Sequence, residues 1–207
     1  MLKIWGRLSS INVQKVVWAA RELGLAHDRT DVGGQYGQLD TPEYGRVNPN
    51  RKIPTIDDDG FILWESNAIV RYLAGRYGQG SLCPQDPFQR ADADRWMDWT
   101  CNEVHPAMLQ CFLGLIRTPE DKRDVKAIDA SVKASNALML MLNDALGDRD
   151  FLAGSQFTMG DIPAGCAAHR WFGLPLAERP ETPALSAWYR RLMTRPATQG
   201  VLTLPLV

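Results

Sequence analysis

The sequence predicts an α/β domain followed by an all-α helical domain, and two observations carry that reading. Over residues 1–78, short apolar runs alternate with helical patterns and finish in a hairpin and a helix. After 79–87, which holds Gly80, Ser81, Pro84, Gln85, Asp86 and Pro87, the strand signals vanish and apolar residues recur three and four apart. That stretch has linker chemistry, so the domains are expected at 1–78 and 88–207, joined by 79–87. A chain of 207 residues is long enough to give each its own core.

In chain order, Leu2 to Trp5 is a short apolar strand and Gly6 to Asn12 a polar turn. Val13, Val16, Val17, Ala20 and Leu23 then mark one face of a helix that stops at Gly24. His27 to Val32 predicts a second strand. Gly33-Gly34-Gln35-Tyr36-Gly37 is glycine-rich but lacks both a GxGxxG pattern and a phosphate-binding lysine, so it reads as a loop. Pro42 and Gly45 limit any helix before Val47 to a short piece.

Three devices follow between Asn48 and Tyr77. Ile53-Pro54 opens a strand, because proline lacks an N–H and belongs at a strand's first residue or on an edge. Asp59-Gly60 between two apolar runs is a hairpin turn. Glu65-Ser66 starts a helix carried by Ala68, Ile69, Tyr72, Leu73 and Arg76 and stopped at Gly78. Strand, helix, strand, hairpin, helix is the order of a thioredoxin-like domain. With a cis Ile53–Pro54 bond, the Ile53 backbone would face outward and pair with an extended peptide, as an added strand does. The first N–H groups of the helix favour a carboxylate, and Glu65 beside them suits an ammonium. A small peptide carrying both groups on one carbon fits this corner.

The remaining composition excludes several classes. Net charge is −1, so nothing draws the chain toward nucleic acid or anionic membrane. Met1 to Arg7 is too short and interrupted for a signal peptide, and no apolar run approaches the ~20 residues of a membrane span. Cys83, Cys101, Cys111 and Cys166 show no Cys-x-x-Cys spacing, and the three histidines are dispersed, so no metal site is indicated. Buried free thiols in a cytoplasmic protein are the expectation.

Beyond the linker, Arg90 to Leu115 is one long helical pattern that Pro106 must bend or interrupt. Val125, Ile128, Val132, Ser135, Met139, Leu142 and Leu146 form the next buried face, ended by Gly147. Thr158-Met159-Gly160-Asp161 reads as a capping box, with threonine accepting from the third helical N–H and Asp161 reaching back, a structural role. Thr182-Pro183 starts the last helix, and Arg195-Pro196 ends it.

The run Ile53-Pro54-Thr55-Ile56, the hairpin, and Glu65-Ser66-Asn67-Ala68-Ile69-Val70-Arg71-Tyr72-Leu73 resembles the glutathione site of the soluble glutathione S-transferases. The likeness extends along nearly the whole chain and points to the serine-using, bacterial theta-like members. It implies an α/β N-terminal thioredoxin-like domain that binds glutathione, plus an all-α C-terminal helical domain that contributes the electrophile pocket. The reaction implied is activation of glutathione as a thiolate for attack on hydrophobic electrophiles. Glutathione is the co-substrate, with no metal. The resemblance also implies a homodimer, pairing the first domain of one subunit with the second of the other; Tyr77 and the exposed face of Arg90 to Glu103 are the expected contacts, since arginine and aromatic residues favour interfaces.

Carried onto this sequence, the resemblance places the thiol donor in the loop after the first strand. No tyrosine or cysteine stands there, which leaves Ser9, Ser10 and Asn12, with Ser10 at the family's serine position and Asn12 where proline is frequent. A serine just before a helix also caps it, so Ser10 has two possible jobs. Glutathione would be held by Arg51 and Lys52 at its glycine carboxylate, by Ile53 and Pro54 along its backbone, and by Glu65 and Ser66 at its γ-glutamyl end. The electrophile pocket is expected from Arg7, Leu8, Cys101, His105, Met108, Phe112 and Trp171, with Phe172 beside it. Other glutathione chemistry on the same scaffold, namely disulfide or peroxide reduction, isomerisation or dehalogenation, and a non-enzymatic ligand-binding dimer are the alternatives.

Overall fold

Residues Met1–Gln85 and Asp86–Val207 form two compact units in the computed structural model, which describes all 207 residues. In the first, β1 (Leu2–Trp5), β2 (His27–Thr30), β3 (Thr55–Asp58) and β4 (Phe61–Trp64) make one sheet in the order β2-β1-β3-β4. β1 runs parallel to β2 and antiparallel to β3, and β3 pairs antiparallel with β4 from Thr55 opposite Trp64 to Asp58 opposite Phe61. The parallel pair needs a crossover, and α1 (Ile11–Glu22) supplies it.

Alternation in β1 turns Leu2 and Ile4 inward, and Ile56 of β3 lies opposite Ile4. Against α1 packs α3 (Ser66–Tyr77). Val13, Val16, Val17 and Trp18 of α1 and Ile69, Val70 and Leu73 of α3 are all 1 % exposed or less. Each such aliphatic residue contributes about 1.5–3 kcal/mol by leaving water. The second strand ends at Thr30, shorter than the 27–32 run suggested, and beyond it Arg7 N–H donates to Val32 O at 3.1 Å. Pro42 starts only a short helix, α2 (Pro42–Val47), capped by Thr41, whose hydroxyl accepts from the Tyr44 N–H at 3.2 Å.

The residues of the expected linker up to Gln85 pack with this first unit: Leu82 and Cys83 are buried, and Gly80 N–H donates to Cys83 O.

The second unit holds α4 (Pro87–Trp99), α5 (His105–Phe112), α6 (Val125–Leu146), α7 (Asp161–Gly173) and α8 (Pro183–Met193). Pro106 does not break the long helix. A π turn at Thr100–Val104 precedes it, and a second at Leu113–Arg117 ends the segment. Widening the turn relieves the clash that proline's ring makes one turn back. Ser131 of α6 then stitches α5 in place: it accepts from Cys111 N–H at 2.9 Å and donates to Ala107 O.

Asp161 is fully buried and anchors the start of α7. Its carboxylate accepts from Thr158 N–H at 2.9 Å, Leu152 N–H at 3.0 Å and Trp188 Nε1 at 2.9 Å. The reach back to Thr158 is as the capping box predicts. The forward half differs, since the Thr158 hydroxyl accepts from Gly160 N–H, one residue before the expected donor.

Candidate functional site

The Ile53–Pro54 bond is cis, and Pro54 immediately precedes β3. Ile53 makes no backbone hydrogen bond within the chain and is half-buried, so its N–H and C=O remain available at the head of a strand. Gly6 makes room for it. A Cβ on Gly6 would lie 2.5 Å from Val13 Cγ2 and 3.2 Å from Ile53 Cβ, and its φ of 149° is one that side chains rarely adopt. The loop after β1 therefore lies directly against Ile53.

A polar network braces the corner from below. Tyr44 Oη and Asn48 Nδ2 both donate to Lys52 O at 2.8 Å, and both lie 3.0 Å from Thr55 Oγ1. Asn48 is 2 % exposed, and its Oδ1 accepts from Asn50 N–H at 3.0 Å. Burial raises the Tyr44 phenol above its ordinary value, against the bonds to Thr55 and Asn48, so it stays a neutral donor. Sequence reading missed Tyr44, Asn48 and Asn50. Only the density of Asn and Thr around Pro49 and Pro54 hinted at a side-chain-braced turn.

Across from Ile53, α3 begins at Ser66 and its first intrahelical bond runs from Ile69 N–H to Glu65 O. The Ser66 N–H thus has no intrahelical acceptor, and the positive end of the helix opens there. Glu65 sits at φ 73°, a conformation that costs a non-glycine residue on the order of 1–3 kcal/mol.

These elements enclose a cavity of about 180 Å³. Ile53, Pro54, Lys52, Glu65 and Ser66 line it, as do Asn12, Asn48 and Asn50. A cation and an anion therefore flank a helix N-terminus and the unpaired backbone of Ile53 at the head of β3. Asn12, in the first turn of α1, contributes its side chain, and its Oδ1 accepts from Lys15 Nζ at 3.0 Å and from Ser66 Oγ at 3.3 Å.

Other expected site residues lie elsewhere. Ser10 is the extended N-cap of α1; its hydroxyl makes no capping bond, and it is not in the cavity wall. The Ser9 hydroxyl accepts from Arg7 Nη1 at 2.7 Å. Arg51, expected beside Lys52, is not among the residues that line the cavity. Its guanidinium donates to Leu39 O at 2.9 Å and Thr41 O at 3.0 Å, and its backbone sits at a φ of 52°. Trp171 is 0 % exposed, with Nε1 donating to Asn136 Oδ1, and packs in the core of the helical unit. Met108 and Phe112 are buried likewise, Phe112 beneath the Arg170 guanidinium 3.7 Å from its ring centroid. Cys101 on the first π turn is exposed, His105 is half-buried, and so are Arg7 and Leu8.

All four cysteines are free, and no group of three or more His, Cys, Asp or Glu side chains is assembled. No helix is long and apolar enough to cross a membrane.

Two family models match the chain: the glutathione S-transferase N-terminal domain over residues 9–76 and the C-terminal domain over 104–196. Glutathione S-transferase GstB of Escherichia coli K12 is 39 % identical over 208 residues, covering 100 % of both chains. Glutathione S-transferase D7 of Drosophila melanogaster is 34 % identical over 165 residues, covering 78 % of this chain and 71 % of its own. Among solved structures, the theta class glutathione S-transferase of Xanthomonas axonopodis pv. citri with glutathione bound superposes with a TM-score of 0.95 at 46 % identity. That match covers 100 % of this chain and 99 % of the other.

Proposed function

The chain belongs to the glutathione S-transferase family, and from that premise we propose that the cavity at Ile53 binds glutathione and activates it as a thiolate for attack on hydrophobic electrophiles. The observation that carries this reading is the assembly of four recognition elements around one small cavity. Ile53 offers a free N–H and C=O to the cysteinyl backbone. Ser66 offers a helix N-terminus to the γ-glutamyl carboxylate, and Glu65 a carboxylate to its ammonium. Lys52 offers a cation to the glycine carboxylate. No single feature selects a ligand, but one tripeptide answers all four.

The thiol must lose its proton at neutral pH, since a free thiol has a pKa of about 8.5 and only its anion is the nucleophile. Asn12 faces the cavity and Ser10 opens the same helix, so these two carry the donor role. For the electrophile, Arg7 and Leu8 after β1 supply half-buried side chains on the first unit. The protein acts in the cytoplasm as a homodimer.

Glu65→Ala and Ser66→Ala test the assignment. A charge-assisted bond contributes about 1.5–3 kcal/mol, so each variant is expected to weaken glutathione binding by about tenfold or more in calorimetry. Unchanged affinity in both folded variants removes the site. A panel of electrophiles, peroxides and mixed disulfides, run with glutathione, then separates transfer from reduction.

A further inference from the structure

Behind Asn12 and Ser66 stands a lysine that neither the cavity wall nor the sequence pattern accounts for. Lys15 is 1 % exposed in the seam between α1 and α3, where the pattern of α1 would accept an aliphatic residue. Its Nζ donates to Asn12 Oδ1 at 3.0 Å and reaches Ser66 Oγ at 3.5 Å, while Ser66 Oγ lies 3.3 Å from Asn12 Oδ1. Burying an ammonium is costly unless hydrogen bonds compensate it, and two of its partners, Asn12 and Ser66, are wall residues of the cavity at Ile53.

The chemistry of the donors fixes Asn12. An ammonium carries three donors and no acceptor, so the branch of Asn12 that meets Lys15 is the carbonyl oxygen. The amide nitrogen is then the other branch, and the Asn12 side chain makes its hydrogen bonds through Oδ1 alone. Lys15 thereby determines which way round the asparagine stands.

We propose that Lys15 is a positioning residue for thiolate formation: it holds Asn12 with its N–H groups toward the cavity and sets a buried positive charge behind the sulfur. The inference rests on the assignment of the cavity to glutathione. In the step itself the S–H bond of bound glutathione breaks, the electron pair stays on sulfur, and the proton leaves to water. Asn12 donates a hydrogen bond to the sulfur anion without giving up a proton, and Lys15 remains an ammonium throughout. Both effects favour the charged form of the thiol.

The test is the ultraviolet thiolate absorbance of bound glutathione against pH, for wild type, Lys15→Met, Asn12→Ala and the double variant. Lys15→Met is expected to raise the midpoint by about one unit or more, so that the thiolate fraction at neutral pH falls about tenfold. The double variant should shift by less than the sum of the two single shifts, because part of Lys15's effect passes through Asn12. Loss of packing alone would lower the melting temperature and leave the midpoint of the folded protein where it was. A wild-type midpoint in folded Lys15→Met, with glutathione still bound, overturns the inference and spares the glutathione reading. Wild type that binds no glutathione overturns both. Should Lys15→Met not fold, lysine labelled with nitrogen-15 in Lys52→Met protein decides the matter. One Nζ resonance must then move with the same midpoint as the bound thiol, and the absence of any such resonance overturns the proposal.

Discussion

Arg51 and Lys52 are neighbours of like charge, yet only one of them faces the cavity. Arg51 sits at a φ of 52° and spends its guanidinium on Leu39 O and Thr41 O. Gly45 accommodates it, since a Cβ there would sit 2.5 Å from Arg51 Nη2. Arg51→Ala is therefore expected to loosen the segment ahead of α2 and lower the melting temperature, while Lys52→Ala weakens glutathione binding and leaves stability unchanged. Thermal scans beside calorimetry on the two variants check this, and equal binding losses would return Arg51 to the site. Asp161 is the counterpart in the second unit. Asp161→Ala strands the N–H groups of Leu152 and Thr158 and the Trp188 indole in a fully buried place. Each stranded donor costs about 1–3 kcal/mol, so chemical denaturation should show a loss on the order of 3 kcal/mol or more.

At the scale of elements, what was legible in the sequence was local. The hairpin, the start of α3 at Ser66 and the stop at Gly78 depend on residues within a few positions of each other, and all are where the residues put them. The network of Tyr44, Asn48 and Thr55 was not legible, because it joins a helix, a loop and a strand through side chains whose direction no periodicity reveals. The π turns around Pro106 were hidden for another reason: their period differs too little from that of an α-helix to show over five residues. Helix α7 carries a further contact of this kind. His169 Nε2 lies 3.2 Å from Leu204 O, which can only accept, so Nε2 holds the proton and Nδ1 accepts from Tyr189 Oη at 2.8 Å. Burial lowers the His169 pKa below its ordinary value. The folded state then stays neutral at a pH where the unfolded chain, near 6.5, already takes up a proton. This stability is fully present above about 6.5 and is lost as pH falls through the folded value. Urea denaturation at pH 5 and 7 should show wild type losing more stability on acidification than His169→Gln; parallel losses would dismiss the contact as a pH-sensitive tie.

At the scale of the whole molecule, both units carry surface that a lone chain leaves open. On the first, Phe61 and Tyr77 are 47 % and 39 % exposed, and the Arg76 guanidinium lies over the rings of Tyr72 and Tyr77. On the second, a groove of about 350 Å³ is lined by Arg95, Trp96, Trp99, Met141 and Ala145, with Phe88 85 % exposed on the same helix, α4. Aromatic residues and arginine are the types enriched where proteins meet. We therefore expect two copies to associate symmetrically, the aromatic face of the first unit of one against the groove of the second unit of the other. Such a two-fold arrangement uses each surface twice. Sedimentation equilibrium at micromolar concentration should give twice the 23.1 kDa of the chain. Truncating an aromatic anchor at the centre of an interface typically costs about 2 kcal/mol or more. Trp99→Ala should thus weaken association roughly thirtyfold while the helical content stays that of wild type. A wild-type protein that sediments only at 23.1 kDa rules out the dimer. A dimer indifferent to both Trp99→Ala and Tyr77→Ala places the interface on another face.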